Sequence, residues 1–255
     1  MNFYKVEDTH IIRSLFKNVH QTLIQAYWQG KIGIAYTDNL LQPSSAFINI
    51  GCFFFFAGIP NSDILRFKPK EYSEKYAIFI PTNEKWHILV ENSYPENFEK
   101  ITRYSFCQNT TFDIEKLQSM ISTLPQDYQL QRIDNKCYRN IVRSKWAKDL
   151  CSNFASYSEF EKSGLGFVIL KNNVIVSGAS SYLVYDNGIE IEVDTREDER
   201  RNGLALICCA KLILSCLENH IYPNWDAHNQ QSLKLATKLG YKFDRAYQAY
   251  VVWNF

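Results

Sequence analysis

The sequence predicts a mixed α/β (α+β) fold, a mostly antiparallel sheet flanked by helices, and three observations carry that prediction. Residues 189–194 alternate Ile189, Ile191 and Val193 with Glu190, Glu192 and Asp194, the period-two pattern of a strand with two unlike faces. From Gly203 the polar side chains shrink to Lys211, Ser215 and Glu218, one narrow stripe at helical spacing on an otherwise apolar, buried helix. Residues 166–170 and 174–184 are β-rich runs joined through Lys171-Asn172-Asn173, and Tyr185-Asp186-Asn187-Gly188 leads on to residue 189. Both links have hairpin chemistry, so a meander feeds the strand and the helix.

Taken in order, residues 9–29 place Ile11, Ile12, Leu15, Phe16, Val19, Leu23, Ile24 and Tyr27 at helical spacing and predict one amphipathic helix. Strands are expected at 32–36, 46–57 and 76–80, the second rich in aromatic residues and interrupted by Gly51. Asn83 starts a short helix with His87 on its surface, residues 101–106 form a strand, and a helix over 112–124 stops at Pro125. The pattern breaks at Leu124-Pro125-Gln126-Asp127, where the domain boundary is expected, with a divergent α/β domain over 1–125 and a second domain over 126–255. A strand at 128–133, a helix capped by Asn135 and a short helix capped by Ser158 precede the meander. Near the end Asn229 is placed to cap a helix that Gly240 terminates.

Composition narrows the classes of function. With 255 residues, 46% of them hydrophobic, the chain can bury a sizeable core. Its 28 basic and 27 acidic residues leave a formal net charge of +1, without the basic face that nucleic acid requires. The most apolar run, residues 48–59, is too short to cross a bilayer, and MNFYKVEDTH has no signal-peptide core, so neither a membrane nor a nucleic-acid partner is expected. Seven scattered cysteines without paired C-x-x-C spacing predict reduced thiols and a cytoplasmic protein. No metal-binding spacing occurs, and oligomeric state is not readable.

Between strand and helix lies Arg200-Arg201-Asn202-Gly203-Leu204-Ala205. The first turn of a helix leaves backbone N–H groups unpaired and carries partial positive charge, so such a turn can hold a phosphate; a solvated loop is the plainer alternative. The hexapeptide resembles the Arg/Gln-x-x-Gly-x-Gly/Ala signature of the GNAT N-acetyltransferases, with Arg200, Gly203 and Ala205 in the defining places. The block from Asn229 through Ser232, Leu235, Ala236 and Leu239 to Gly240-Tyr241 is similar to that family's second acetyl-CoA motif. Over nearly its full length the chain resembles the zwittermicin A resistance-type group, through Ile101-Thr-Arg-Tyr104, Leu124-Pro-x-Asp-Tyr128, Gly164-Leu-Gly-Phe167, Gly188-Ile-Glu-Ile-Glu192 and Pro223-Asn-Trp-Asp-Ala227.

The resemblance implies a GNAT acyl-CoA N-acyltransferase fold, with the acetyltransferase domain in residues 126–255. It implies acetyl-CoA as cosubstrate, with the pyrophosphate on the turn, the pantetheine along Val193, Asp194 and Thr195, and Asn229 and Ser232 against the cofactor. The activity it implies is transfer of an acetyl group to a primary amine of a small-molecule acceptor. That chemistry needs a base for the amine and donors for the oxyanion. Glu192 and Glu190, on one face of the strand, are the candidate bases, with pairing to Lys or Arg as the alternative. Two positions depart from the family pattern: Arg201 stands where many relatives have Gly, and Ala236 where many have Tyr. The proton that this Tyr gives to the departing CoA thiolate must then come from another residue, from water or from nowhere, with Tyr250 and Tyr247 the candidate acids and Tyr241 also near. An acyl-CoA-binding regulator or scaffold without catalysis is the second reading, favoured by Ala236.

Overall fold

The computed structural model describes residues 2–17, 19, 21–94 and 96–255. The chain divides into two units, Met1–Arg103 with Ala246–Phe255, and Tyr104–Arg245. The divide therefore does not fall at 125/126. The physical reason is the helix Ile114–Ser122, whose Leu117, Met120 and Ile121, with Leu124 behind them, pack into the core of the second unit. Pro125 breaks a helix without ending a core.

In the first unit the chain gives β1 (Tyr4–Lys5), a 3-10 turn (Thr9–Phe16), α1 (Thr22–Trp28), β2 (Ile34–Thr37), β3 (Ser45–Ile50), β4 (Phe53–Gly58), α2 (Ser62–Arg66), β5 (Tyr76–Pro81) and α3 (Glu84–Ser93). The single helix expected over 9–29 is thus a 3-10 turn and a separate α1; Asn18 and His20 in that stretch lie outside the described residues. The aromatic run 46–57 is a hairpin, β3 and β4 pairing antiparallel with Ile50 opposite Phe53. Gly51, at a left-handed φ of 54°, opens its two-residue turn, a conformation glycine adopts without steric cost. Strands β1 to β5 pair in chain order, antiparallel except β4 with β5. Phe47, Phe54, Phe56, Phe79 and Trp86 fill the core beneath them.

Strand β6 (Phe98–Phe106) carries the chain into the second unit. There α4 (Ile114–Ser122), β7 (Tyr128–Arg132), α5 (Asn135–Arg143) and α6 (Tyr157–Ser163) precede β8 (Gly166–Lys171), β9 (Val174–Tyr185) and β10 (Gly188–Thr195). The caps of α5 and α6 are Asp134 and Ser156, whose side chains accept from Cys137 N–H and Glu159 N–H. The β8–β9 turn is Asn172-Asn173, both at positive φ of 51° and 64°, as a two-residue turn of that hand requires. Then follow α7 (Leu204–Glu218), β11 (Tyr222–Asn224), β12 (Asp226–Ala227), α8 (Gln230–Leu239) and β13 (Phe243–Trp253), which returns to the first unit and pairs with β5. The second sheet runs β11-β10-β9-β8-β7, antiparallel throughout except β10 with β11. Leu204, Ile207, Cys208, Leu212 and Ile213 of α7 form the centre of its core with Ile169, Val176 and Ile189.

Candidate active site

Strand β10 is placed by its alternation. Ile189 is buried in the α7 core, with Ile191 and Val193 packed against it, so Glu190, Glu192 and Asp194 take the other face. Against β9 the strand pairs along its whole length, from Gly188 opposite Tyr185 to Thr195 opposite Ser177, with one irregularity where Tyr182 is the extra residue. Against β11 it pairs only at Gly188, Ile189 and Glu190. From Ile191 to Thr195 the outer edge of β10 has no partner strand among the described residues, so its backbone groups there are not paired by a neighbouring strand.

The chain leaves that open edge through a 3-10 turn, Glu197–Glu199, and enters α7. Arg196 forks onto the Asp198 carboxylate at 2.6 and 2.9 Å, and Arg200 Nε donates to Thr195 O at 3.2 Å. Arg201 and Gly203 both lie in the left-handed region, at φ of 67° and 78°. Gly203 begins α7 with no side chain capping the helix, and a Cβ built on it would meet no atom within 4 Å. The opening of this helix therefore faces open space, with Arg200, Arg201 and Asn202 exposed around it, while Leu204 is buried and Ala205 half-buried. Residues 201–205 can offer backbone N–H groups, and Arg200 and Arg201 two guanidinium charges, to an anion.

The three carboxylates of β10 are unlike one another. Glu190 is only 5% exposed, and Asn224 Nδ2 donates to both of its oxygens, at 2.7 and 2.9 Å. Glu192 is half-buried, in register with Ser180 of β9. Asp194 is half-buried, and burial, with repulsion from Asp149, pushes its carboxyl up to about 6 against the opposing pull of Arg200.

A strand running through such a turn into a helix is the arrangement the sequence motifs led us to expect, and the comparison of the whole chain decides the matter: the family profile described as GNAT acetyltransferase matches residues 13–250. The chain belongs to the GNAT acetyltransferase family. It is 28% identical over 229 residues to YdfB, an uncharacterized N-acetyltransferase of Bacillus subtilis (strain 168), covering 86% of this chain and 85% of that protein. It is 42% identical to the GCN5-related N-acetyltransferase-like protein from Streptococcus suis 89/1591, whose crystal structure matches with a TM-score of 0.89 over 95% of this chain and 96% of that one. A GNAT-family acetyltransferase from Colwellia psychrerythraea shares the fold at 9% identity, with a TM-score of 0.54 over 99% of this chain and 100% of that one.

Two residues of the second GNAT motif already have partners within the protein. Asn229 caps α8, its side chain accepting from Ser232 N–H at 2.8 Å, and its Nδ2 lies 2.8 Å from His228 Nε2. Ser232 Oγ accepts from Trp225 Nε1 at 3.0 Å. Ala236 is fully buried. The tyrosines considered as acids have hydrogen-bond partners of their own. Tyr250, fully buried in the first unit, donates to Glu91 Oε1 at 2.7 Å and lies 3.0 Å from His87 Nδ1. Burial and the Glu91 carboxylate raise its pKa. Tyr247, also in the first unit, accepts from Arg103 Nε at 3.3 Å, and Tyr241 donates to Pro223 O at 2.6 Å from full burial. His87 is accordingly a packed partner of Tyr250, not a surface histidine.

Sequence reasoning missed Glu199. It sits in the charged run Glu197-Asp198-Glu199, which reads as a solvated loop, yet it is only 6% exposed. The signal that could have marked it lies far off in sequence, in Tyr128 and Lys171, whose side chains meet on its carboxylate. Among the described residues no helix is long and apolar enough to cross a membrane, and no group of three His, Cys, Asp or Glu could hold a metal ion.

Proposed function

We propose that this chain is an acetyl-CoA-dependent N-acetyltransferase of the zwittermicin A resistance-type group, acting on a primary amine of a small-molecule acceptor. The observation that carries the reading is the open edge of β10 from Ile191 to Thr195, continuous with the uncapped opening of α7 at Gly203. Members of this family use acetyl-CoA as cosubstrate, which supplies an acetyl group activated as a thioester. The N–H groups of Arg201, Asn202, Gly203, Leu204 and Ala205 would hold its pyrophosphate, helped by Arg200 and Arg201. Val193, Asp194 and Thr195 would hold its pantetheine through the strand edge, and a backbone N–H there would stabilise the oxyanion, with Asn229 and Ser232 at the start of α8 against the cofactor.

The amine must lose a proton before it attacks. Glu190 is committed to Asn224, so Glu192 is the carboxylate we assign to that step, directly or through water. The amine nitrogen forms its bond to the acetyl carbon, the carbon–sulfur bond breaks, and the thiolate takes a proton from solvent. That last assignment follows from the buried Ala236 and from the prior engagement of Tyr241 and Tyr250.

The same observations support a second reading, an acyl-CoA-binding regulator or scaffold that has no acid and does not turn over. Release of CoA thiol from acetyl-CoA, followed against a panel of small primary amines, separates the two. Amine-dependent release with stoichiometric N-acetylated product supports the enzyme; acetyl-CoA binding with no release from any amine supports the scaffold.

A further inference from the structure

The turn that opens α7 is held in an unfavourable backbone conformation. Asn202 stands between two left-handed residues, and one of them, Arg201, carries a Cβ that makes this region costly. A turn built this way persists only where its surroundings impose it. At its start α7 has no capping side chain to do so.

What reaches the turn from outside is Glu199. Its Oε2 accepts from Asn202 Nδ2 at 3.2 Å and from the Tyr128 hydroxyl at 2.6 Å, and its Oε1 accepts from Lys171 Nζ at 3.0 Å. Arg196 adds a guanidinium nitrogen 3.8 Å from Oε1. Tyr128 and Lys171 are directly opposite one another on β7 and β8. Lys171 also donates to the Tyr128 hydroxyl at 3.1 Å and lies over its ring, 4.9 Å from the centroid. The carboxylate is therefore fixed to the sheet on one side and holds the turn on the other. Hydrogen bonds from Tyr128 and then Lys171 depress its pKa, so it is ionised at neutral pH, when its hold on three donors is strongest.

We propose that Glu199 is a positioning residue for the pyrophosphate turn: anchored by Tyr128 and Lys171, it fixes the residue 201–205 amides through Asn202. The inference rests on the acetyl-CoA reading above. Without the tether the turn samples other conformations, and affinity falls in proportion to the fraction of time the amides are correctly arranged. The loss is confined to ligands that carry the pyrophosphate.

The test is calorimetric binding of acetyl-CoA and of S-acetylpantetheine, which lacks the pyrophosphate, to the full-length protein and to Asn202→Ala, Glu199→Gln, their double variant and Tyr128→Phe. Absence of acetyl-CoA binding by the wild type would remove the acetyl-CoA reading itself and this inference with it. Given wild-type binding, Asn202→Ala and Glu199→Gln are each expected to weaken acetyl-CoA about tenfold, Tyr128→Phe less. The double variant should be no weaker than the worse single one, because both act through one tether. S-acetylpantetheine affinity should not change. Single variants within twofold of wild type, fully additive losses, or equal losses for the two ligands would each overturn the proposal. Asn202 is exposed, so if Glu199→Gln fails to fold, Asn202→Ala decides the question with the two ligands alone.

Discussion

Asn224 Nδ2 donates to both carboxylate oxygens of Glu190, at 2.7 and 2.9 Å, across the short parallel pairing of β10 with β11. A carboxylate that is 5% exposed and held this way is part of the sheet's internal structure. Asn224→Ala should destabilise the fold by about 1–3 kcal/mol, since it strips a donor from a buried carboxyl group. Urea unfolding checks this. Glu190→Gln should leave the pH dependence of turnover where it was, and a displaced acid limb would return Glu190 to the candidate bases.

Glu192 carries the opposite expectation. Glu192→Gln keeps shape and hydrogen bonding but removes basicity, so turnover should fall about 100-fold or more with acetyl-CoA affinity unchanged. Steady-state kinetics with calorimetry on the same preparation checks it. Near-normal turnover across pH would mean that positioning alone carries the reaction.

The raised pKa of Asp194 gives a signed prediction for stability. A carboxyl that titrates at about 6 in the folded protein and near 3.8 unfolded binds its proton more tightly when folded. Its contribution is therefore fully present below about pH 3.8 and is lost as pH rises through about 6. Asp194→Asn should remove that decline, so denaturant unfolding between pH 4 and 7 should show the variant gaining on the wild type as pH rises. Parallel curves would contradict the assignment.

Tyr250→Phe should cost about 1 kcal/mol of stability, because the hydroxyl between Glu91 and His87 is lost from a partly buried network. Turnover under conditions where the variant is folded should stay near that of the wild type. A loss of 100-fold or more in kcat would restore Tyr250 as an acid.

How far the sequence was legible depends on how far each signal is local. The α7 helix, the α8 cap at Asn229 and the stop at Gly240, φ 109°, all reside in short spans and could be read directly. The β3–β4 hairpin could not, because its strands are buried on both faces and show no alternation to mark where one ends. Only Gly51 hinted at the turn. The helix expected over 9–29 had sound apolar spacing, yet periodicity does not distinguish a 3-10 turn followed by α1 from one continuous helix. Of the candidate site, the strand and turn were visible as a motif, whereas the different environments of Glu190, Glu192 and Asp194 were not. For Glu190 and Asp194 those environments are set by burial and by Asn224 and Asp149, side chains distant in sequence. Glu199 is the extreme case, since its partners Lys171 and Tyr128 lie 28 and 71 residues away.

The central claim is that the opening of α7 binds the pyrophosphate of acetyl-CoA, and Gly203→Asp tests it most directly. The new Cβ would meet no atom within 4 Å, and the strain of a side chain at the left-handed φ of 78°, about 1–2 kcal/mol, is small against the stability of a typical domain, so the fold should survive, while a negative charge is set at the proposed anion site. In a calorimetric titration with acetyl-CoA, the wild type should bind one equivalent and the folded variant should give no binding heat. A folded Gly203→Asp protein that bound acetyl-CoA as tightly as the wild type would contradict the account.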